Sequence, residues 1–163
     1  MDDRHLRIVP ATEADVPLLL SFIRQLAEYE RLAHAVVATE DDVRRSLFGE
    51  KPAAEALFAM WDGEPVGFAI FFHNFSTFLS RPGLYLEDLF VKPEMRGKGI
   101  GKAILVHLAR IARDRGCRRF EWAVLDWNHS AMRFYESLGA KAVSEWTIFR
   151  LADEAIDRLA EEK

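Results

Sequence analysis

At 163 residues, half of them hydrophobic and 29% charged, the chain is long enough for one domain with an ordinary core and too apolar to be disordered. A formal charge of −4 with no basic tract argues against nucleic acid or an anionic membrane as partner. The one cysteine, Cys117, excludes an intrachain disulfide, and the charged start MDDRHLRIVP reads as neither a leader nor a membrane span. The expectation is a single cytoplasmic domain over residues 1–163. The five histidines stand apart, with no H-E-x-x-H, so no metal is expected.

Residues 7–9 predict a short strand ended by Pro10. Thr12 is a good helix N-cap, and Asp15 completes a capping-box start. Val16, Leu19, Leu20, Ile23, Leu26 and Ala27 then recur at helical spacing, and the helix ends near Tyr29-Glu30-Arg31. Thr39 caps a shorter helix with Val43, Leu47 and Phe48 on its apolar side and Gly49 at its end. Residues 56–61 and 66–72 read as strands joined by the hairpin signal Asp62-Gly63-Glu64-Pro65. Residues 74–83 read as a polar and aromatic loop, and 84–91 as a strand. An amphipathic helix follows, with Ile100, Ile104, Leu108 and Ile111 on one face and Gly116 closing it. Residues 120–125 predict a strand, 130–138 a helix stopped by Gly139, and 144–151 a last strand before a short charged helix from Asp153. This order predicts an α+β fold with a mixed sheet.

The chain is organised around residues 84–102, LYLEDLFVKPEMRGKGIGK, where a strand passes through a basic glycine turn straight into a helix. Free amides at a helix start, together with the helix dipole, favour a phosphate there. The dinucleotide pattern fails because position 102 is Lys102 rather than glycine. The triphosphate-loop pattern fails because Arg96 and Ala103 stand where it needs glycine and Ser or Thr. What remains is R-x-x-G-x-G, which resembles the acetyl-CoA pyrophosphate loop of the GCN5-related N-acetyltransferases (GNAT family). The plain alternative is a glycine turn capping an ordinary helix. The flanking residues favour the resemblance: R-I-V-P-A-T at 7–12, L-A-E-Y-E at 26–30, LYLEDLFV before the loop, and Trp127-Asn128 followed by A-M-R-F-Y-E-S-L-G-A. Together they are similar to the spermidine/spermine (diamine) acetyltransferase branch. The fold this resemblance implies is a mixed, mostly antiparallel sheet flanked by helices, with a splayed strand pair forming the acetyl-CoA cleft.

Acetyl transfer needs a held thioester, a neutral amine, donors for the oxyanion and a proton for the departing thiolate. The resemblance implies that Gly97, Lys98, Gly99, Ile100, Gly101 and Lys102 cradle the diphosphate with Arg96 beside them. It implies that the main chain of Leu89, Phe90 and Val91 pairs with the pantetheine arm and donates to the oxyanion. It makes Tyr135 the acid for the thiolate. A tyrosine near pKa 10 beside a thiol near 8.5 is a suitable donor, at about those values. Asn128 either touches the coenzyme or caps the helix that follows. Glu87 is the expected base, acting through a water. Glu87 and Asp88 interrupt an apolar strand, so an ideal pleat buries at least one carboxylate, and burial raises a carboxyl pKa toward neutrality. A β-bulge at this point would re-aim both side chains and admit the coenzyme beside the strand.

For the acceptor, the resemblance points to Tyr29 and Glu30 and to Glu121, Trp122 and Ala123, whose carboxylates and rings suit a small cationic amine. Two departures from the polyamine enzymes weaken a long polyamine and make a lysine-like amino acid competitive. Asn74-Phe75-Ser76-Thr77-Phe78 replaces an acidic Asp-Pro-Trp, and Ser144-Glu145-Trp146-Thr147 lacks an acid pair. A protein amine as acceptor stays open, and so does a non-catalytic acyl-CoA-binding module. A homodimer is implied, with the C-terminal strands and helix near the partner. Cys117, His73 and His129 read as ordinary structural residues, and Trp61, Trp122, Trp127 and Trp146 as core or interface.

Overall fold

The structure, a computed structural model, describes residues 5–162, so the charged start at residues 1–4 and Lys163 lie outside the described residues. These fall into two compact units, the first ending at Leu125 and the second beginning at Asp126.

The first unit runs β1 (Leu6–Pro10), α1 (Val16–Tyr29), α2 (Glu40–Phe48), β2 (Glu55–Trp61), β3 (Glu64–Ser76), β4 (Arg81–Val91), α3 (Ile100–Asp114) and β5 (Phe120–Trp122). The strands form one sheet in the order β1-β2-β3-β4-β5. Every neighbouring pair is antiparallel except β4 and β5, which run parallel. Both capping boxes form: the Asp15 carboxylate accepts from the Thr12 amide and hydroxyl, and Asp42 does the same for Thr39.

Alternation along β3 covers both faces of the sheet. Phe68 and Ile70 join the cluster under α1, with Val16, Leu19, Phe22, Phe58 and Phe90. Phe22 is its hub, with ring centroids 5.8, 5.5 and 6.2 Å from those of Phe58, Phe68 and Phe90. A fully buried side chain of this size contributes about 1.5–3 kcal/mol. Ala69 and Phe71 point the other way and are buried as well. α3 packs on β4, β3 and β1 and buries Ile100, Ile104, Leu105 and Leu108.

Three expectations are corrected. Residues 74–83 are not a loop: β3 and β4 continue as a paired arm, with Asn74 opposite Gly83, Phe75 opposite Pro82 and Ser76 opposite Arg81. Polar side chains suggested a loop here because an arm this exposed buries little beyond Ser76 and Gly83. Pro82 lacks an amide, but its carbonyl accepts from the Arg118 amide at 3.3 Å. β5 ends at Trp122 rather than Leu125. Residues 144–151 form no strand. They carry strand-type alternation, but a strand exists only through a ladder, and Trp146, Ile148 and Phe149 stay exposed.

The second unit holds α4 (His129–Ser137) and α5 (Glu154–Ala160). Asn128 caps α4 by accepting from the Ala131 amide at 3.2 Å. Among the described residues, no helix is long and apolar enough to cross a membrane.

Candidate active site

β4 is where the sheet opens. Its pairing with β5 covers Leu84, Tyr85 and Leu86, opposite Phe120, Glu121 and Trp122. β5 then stops, while β4 continues to Val91 paired with β3 alone. The register against β3 slips at the same place. Ile70 faces Asp88 and the next residue, Phe71, faces Leu86, which leaves Glu87 as the extra residue of a bulge. The expected bulge therefore sits on the acidic pair itself. It throws Glu87 outward, where it is exposed, and keeps Asp88 half-buried opposite Ile70.

Burial and charge act together on Asp88. Its carboxyl is pushed up to about 7, first by burial, then by the negative charges of Glu87 and Glu30. Burial also raises Glu30, at the C-cap of α1. The charges of Glu87, its neighbour on β4, and of Glu30, at the end of α1, thus both act on Asp88. Of the adjacent pair on β4, the member held near neutrality is Asp88.

A second polar group lies further along the same strand. Tyr85 packs against Phe72 in a tilted arrangement with ring centroids 5.1 Å apart, and its phenol pKa is raised by burial, then by Glu87 and Glu121. Asn74 donates from Nδ2 to Glu121 Oε2 at 3.1 Å. Gly83 makes room for this: a Cβ there would lie 2.2 Å from Asn74 Oδ1. Trp122 is half-buried and stacks edge-on with Phe120, and Ala123 lies just beyond the strand, exposed. Asn74 and Tyr85 carry no sequence signal of a site. Only the register of β3, β4 and β5 brings them beside Glu121.

After Val91, a short 3-10 turn, Pro93–Met95, leads into the glycine loop. Gly97 and Gly99 take φ of 77° and 79°, a backbone state that favours glycine. Gly99 is the N-cap of α3, and the Ala103 amide bonds the Gly99 carbonyl at 3.0 Å, closing the first turn. The amides before it have no intrahelical acceptor. Ile100 is buried and anchors the turn, while Gly97, Lys98, Gly99 and Lys102 are exposed. A Cβ built on Gly97 or Gly101 meets nothing within 4 Å, so the cradle has open space above it. These features fit a diphosphate. Both loop cations rest on aromatic rings: Arg96 Cζ lies 4.3 Å from the Tyr29 centroid, and Lys98 Nζ lies 5.2 Å from that of Trp61.

In the second unit, Tyr135 is half-buried on α4, its ring 5.5 Å from that of Phe134. Among the described residues no group of three or more His, Cys, Asp or Glu is placed to hold a metal ion.

Comparison with known proteins agrees with this geometry. The sequence profile of the Acetyltransferase (GNAT) family matches residues 22–140. A thialysine N-epsilon-acetyltransferase from Bos taurus is 43% identical over 163 residues, covering 92% of this chain and 94% of that protein. An L-ornithine N5-acetyltransferase from Arabidopsis thaliana is 31% identical, covering 94% and 87%. An integron cassette protein from the mobile metagenome of V.cholerae has a solved structure that matches with a TM-score of 0.81 at 28% identity, covering 97% of this chain and 99% of that one.

Proposed function

This chain belongs to the GNAT acetyltransferase family and is an acetyl-CoA-dependent N-acetyltransferase, and we propose that its acceptor is the side-chain amine of a lysine-like free amino acid. The carrying observation is the carboxylate trio Glu30, Glu87 and Asp88 at the β4 bulge, next to the glycine loop. Two relatives named for thialysine and L-ornithine support an amino acid with a side-chain amine. This acceptor replaces the diamine or polyamine expected from the sequence. Beyond the trio, the wall offers one further acid, Glu121, and Asn74 already donates to it. Tyr85, opposite Glu121, pairs with Phe72, two residues along β3 from Ile70, the partner of Asp88, which sets Tyr85 and Asp88 about 7 Å apart along the sheet. That suits one distal ammonium a few bonds from the reacting nitrogen. Tyr29, Glu30, Glu121, Trp122 and Ala123 form the acceptor wall in this reading.

An ammonium has no lone pair, so it must shed a proton before it attacks. The Glu87–Asp88 pair takes that proton, directly or through a water, and Asp88 is the member whose pKa suits the task near pH 7. Amides from Gly97 to Lys102 hold the diphosphate, and the free edge of β4 at Leu89, Phe90 and Val91 receives the pantetheine arm. An amide of that edge donates to the carbonyl oxygen as it becomes an oxyanion. The new N–C bond forms as the C–S bond breaks, and the Tyr135 hydroxyl gives its proton to the sulfur. Asn128 holds the start of α4.

A thiol-release assay with acetyl-CoA against thialysine, lysine, ornithine, diamines, polyamines and lysine peptides tests the acceptor. The expected result is a kcat/KM at least about tenfold higher for the free amino acids, the scale of one lost charged contact. A preference for spermidine or for peptides overturns it. We also infer a homodimer, supported by the exposed apolar side chains Trp146, Ile148 and Phe149. A monomer by light scattering contradicts that inference.

A further inference from the structure

The Arg96 guanidinium is engaged within the protein. It lies over Tyr29 at 4.3 Å and near Phe90 at 5.7 Å, and these two rings are 6.5 Å apart. Its Nε donates to the Val91 carbonyl at 3.1 Å. Three pieces of chain therefore converge on one planar cation: the last residue of α1, the end of β4 and the turn before α3. A lysine, with a compact ammonium, could not span them in this way. The residue after Tyr29 is Glu30, whose charge acts on Asp88.

Resting on the donor and acceptor assignments above, we propose that Arg96 is a positioning residue that couples the two sites. It clamps the acceptor wall, through Tyr29, to the loop that grips the coenzyme, rather than serving as a diphosphate ligand. The loop main chain and the end of α1 then share one fixed point. A ligand that orders either side orders the clamp, and the partner site binds better for it. By linkage this coupling is reciprocal: coenzyme raises amine affinity by the same factor that amine raises coenzyme affinity.

Titration calorimetry of coenzyme A into the parent, R96A, R96K, Y29L, Y29F and R96A/Y29L tests this, with and without a saturating amino-acid acceptor. Y29L is expected to weaken coenzyme A binding about 2–5-fold, the scale of an exposed cation–π contact, although Tyr29 stands on the acceptor wall. R96A shows at least that loss, and the double variant is no weaker than R96A, because the two side chains act as one unit. Y29F keeps the ring and binds within about twofold of the parent, which separates lost stacking from a disturbed fold. R96K keeps the charge yet loses the mutual enhancement between coenzyme and amine. The opposite pattern overturns the clamp: Y29L binding like the parent, R96K retaining full affinity, and R96A flattening the salt dependence. Arg96 is then a diphosphate ligand, and the proposed function stands. A parent that binds no coenzyme A sinks both.

Discussion

The donor side and the acceptor side of this site are built on opposite plans. The donor side is one unbroken stretch, β4 through the glycine loop into α3, and in the proposed function it works mainly through main-chain amides. Gly97 and Gly99 set those amides by their positive φ, and Ile100 pins the turn from below. The acceptor side is assembled from Glu30 on α1, Asn74 on β3, Tyr85 to Asp88 on β4, and Glu121 on β5. In the proposed function it works through side-chain charge, and that charge is gathered only by the fold. A function carried by local backbone is compact in sequence, whereas one carried by distant side chains is set by register.

That contrast can be broken from either side. The largest effect is expected at Tyr135. Y135F should lower kcat by about 10²–10⁴-fold with little change in acetyl-CoA affinity, measured by thiol release and calorimetry. An unchanged kcat removes Tyr135 from the chemistry. Next comes the donor loop. Gly97→Val forces a β-branched residue to φ of 77° and costs about 1–2 kcal/mol of local strain, so coenzyme A binding should weaken about 5–30-fold. Binding equal to the parent would mean that the loop amides are not the grip. On the acceptor side, Glu121→Gln should raise the amine KM about 3–10-fold and leave kcat nearly as it was, the mark of a contact made equally in ground and transition states.

The smallest effect is on stability. Asp88 has a folded pKa of about 7, above the unfolded carboxylate value of about 3.9. Between those values the native state holds a proton that the unfolded chain has released, so stability falls as pH rises through that window. Asp88→Asn removes the cost of a buried charge. It should raise Tm by about 2–4 °C at pH 8, corresponding to roughly 1 kcal/mol, and by less at pH 5. A Tm gain that is the same at both pH values would say that Asp88 is not ionising in this window.

How much was legible follows the same division. R-x-x-G-x-G and the Thr12 and Thr39 caps were readable because each is a local pattern with a local consequence. The acidic pair was readable as an anomaly in an apolar strand, and the bulge there followed from it. Which member is held near neutrality was not, because that depends first on which carboxyl the bulge leaves buried, and then on the charges of Glu87 and of Glu30 from α1, a distant part of the chain. Asn74 looked like part of a polar loop. Its meaning as the partner of Glu121 needed the β3–β4 arm and the space left by Gly83. Residues 144–151 had a strand's alternation but no ladder. Alternation reports only which side chains share a face, and pairing is a separate fact.

The central claim is that the acid at the β4 bulge collects the proton of the attacking amine. The pH dependence of kcat/KM, which reports groups of the free enzyme and substrate, tests it most directly when measured for the parent, Glu87→Gln and Asp88→Asn. The account predicts activity in the parent that climbs through an inflection near 7, kept but moved to lower pH in Glu87→Gln, where one of the charges that raise Asp88 is gone, and lost, together with most of the rate, in Asp88→Asn. An Asp88→Asn profile that retains the inflection and the rate would contradict it.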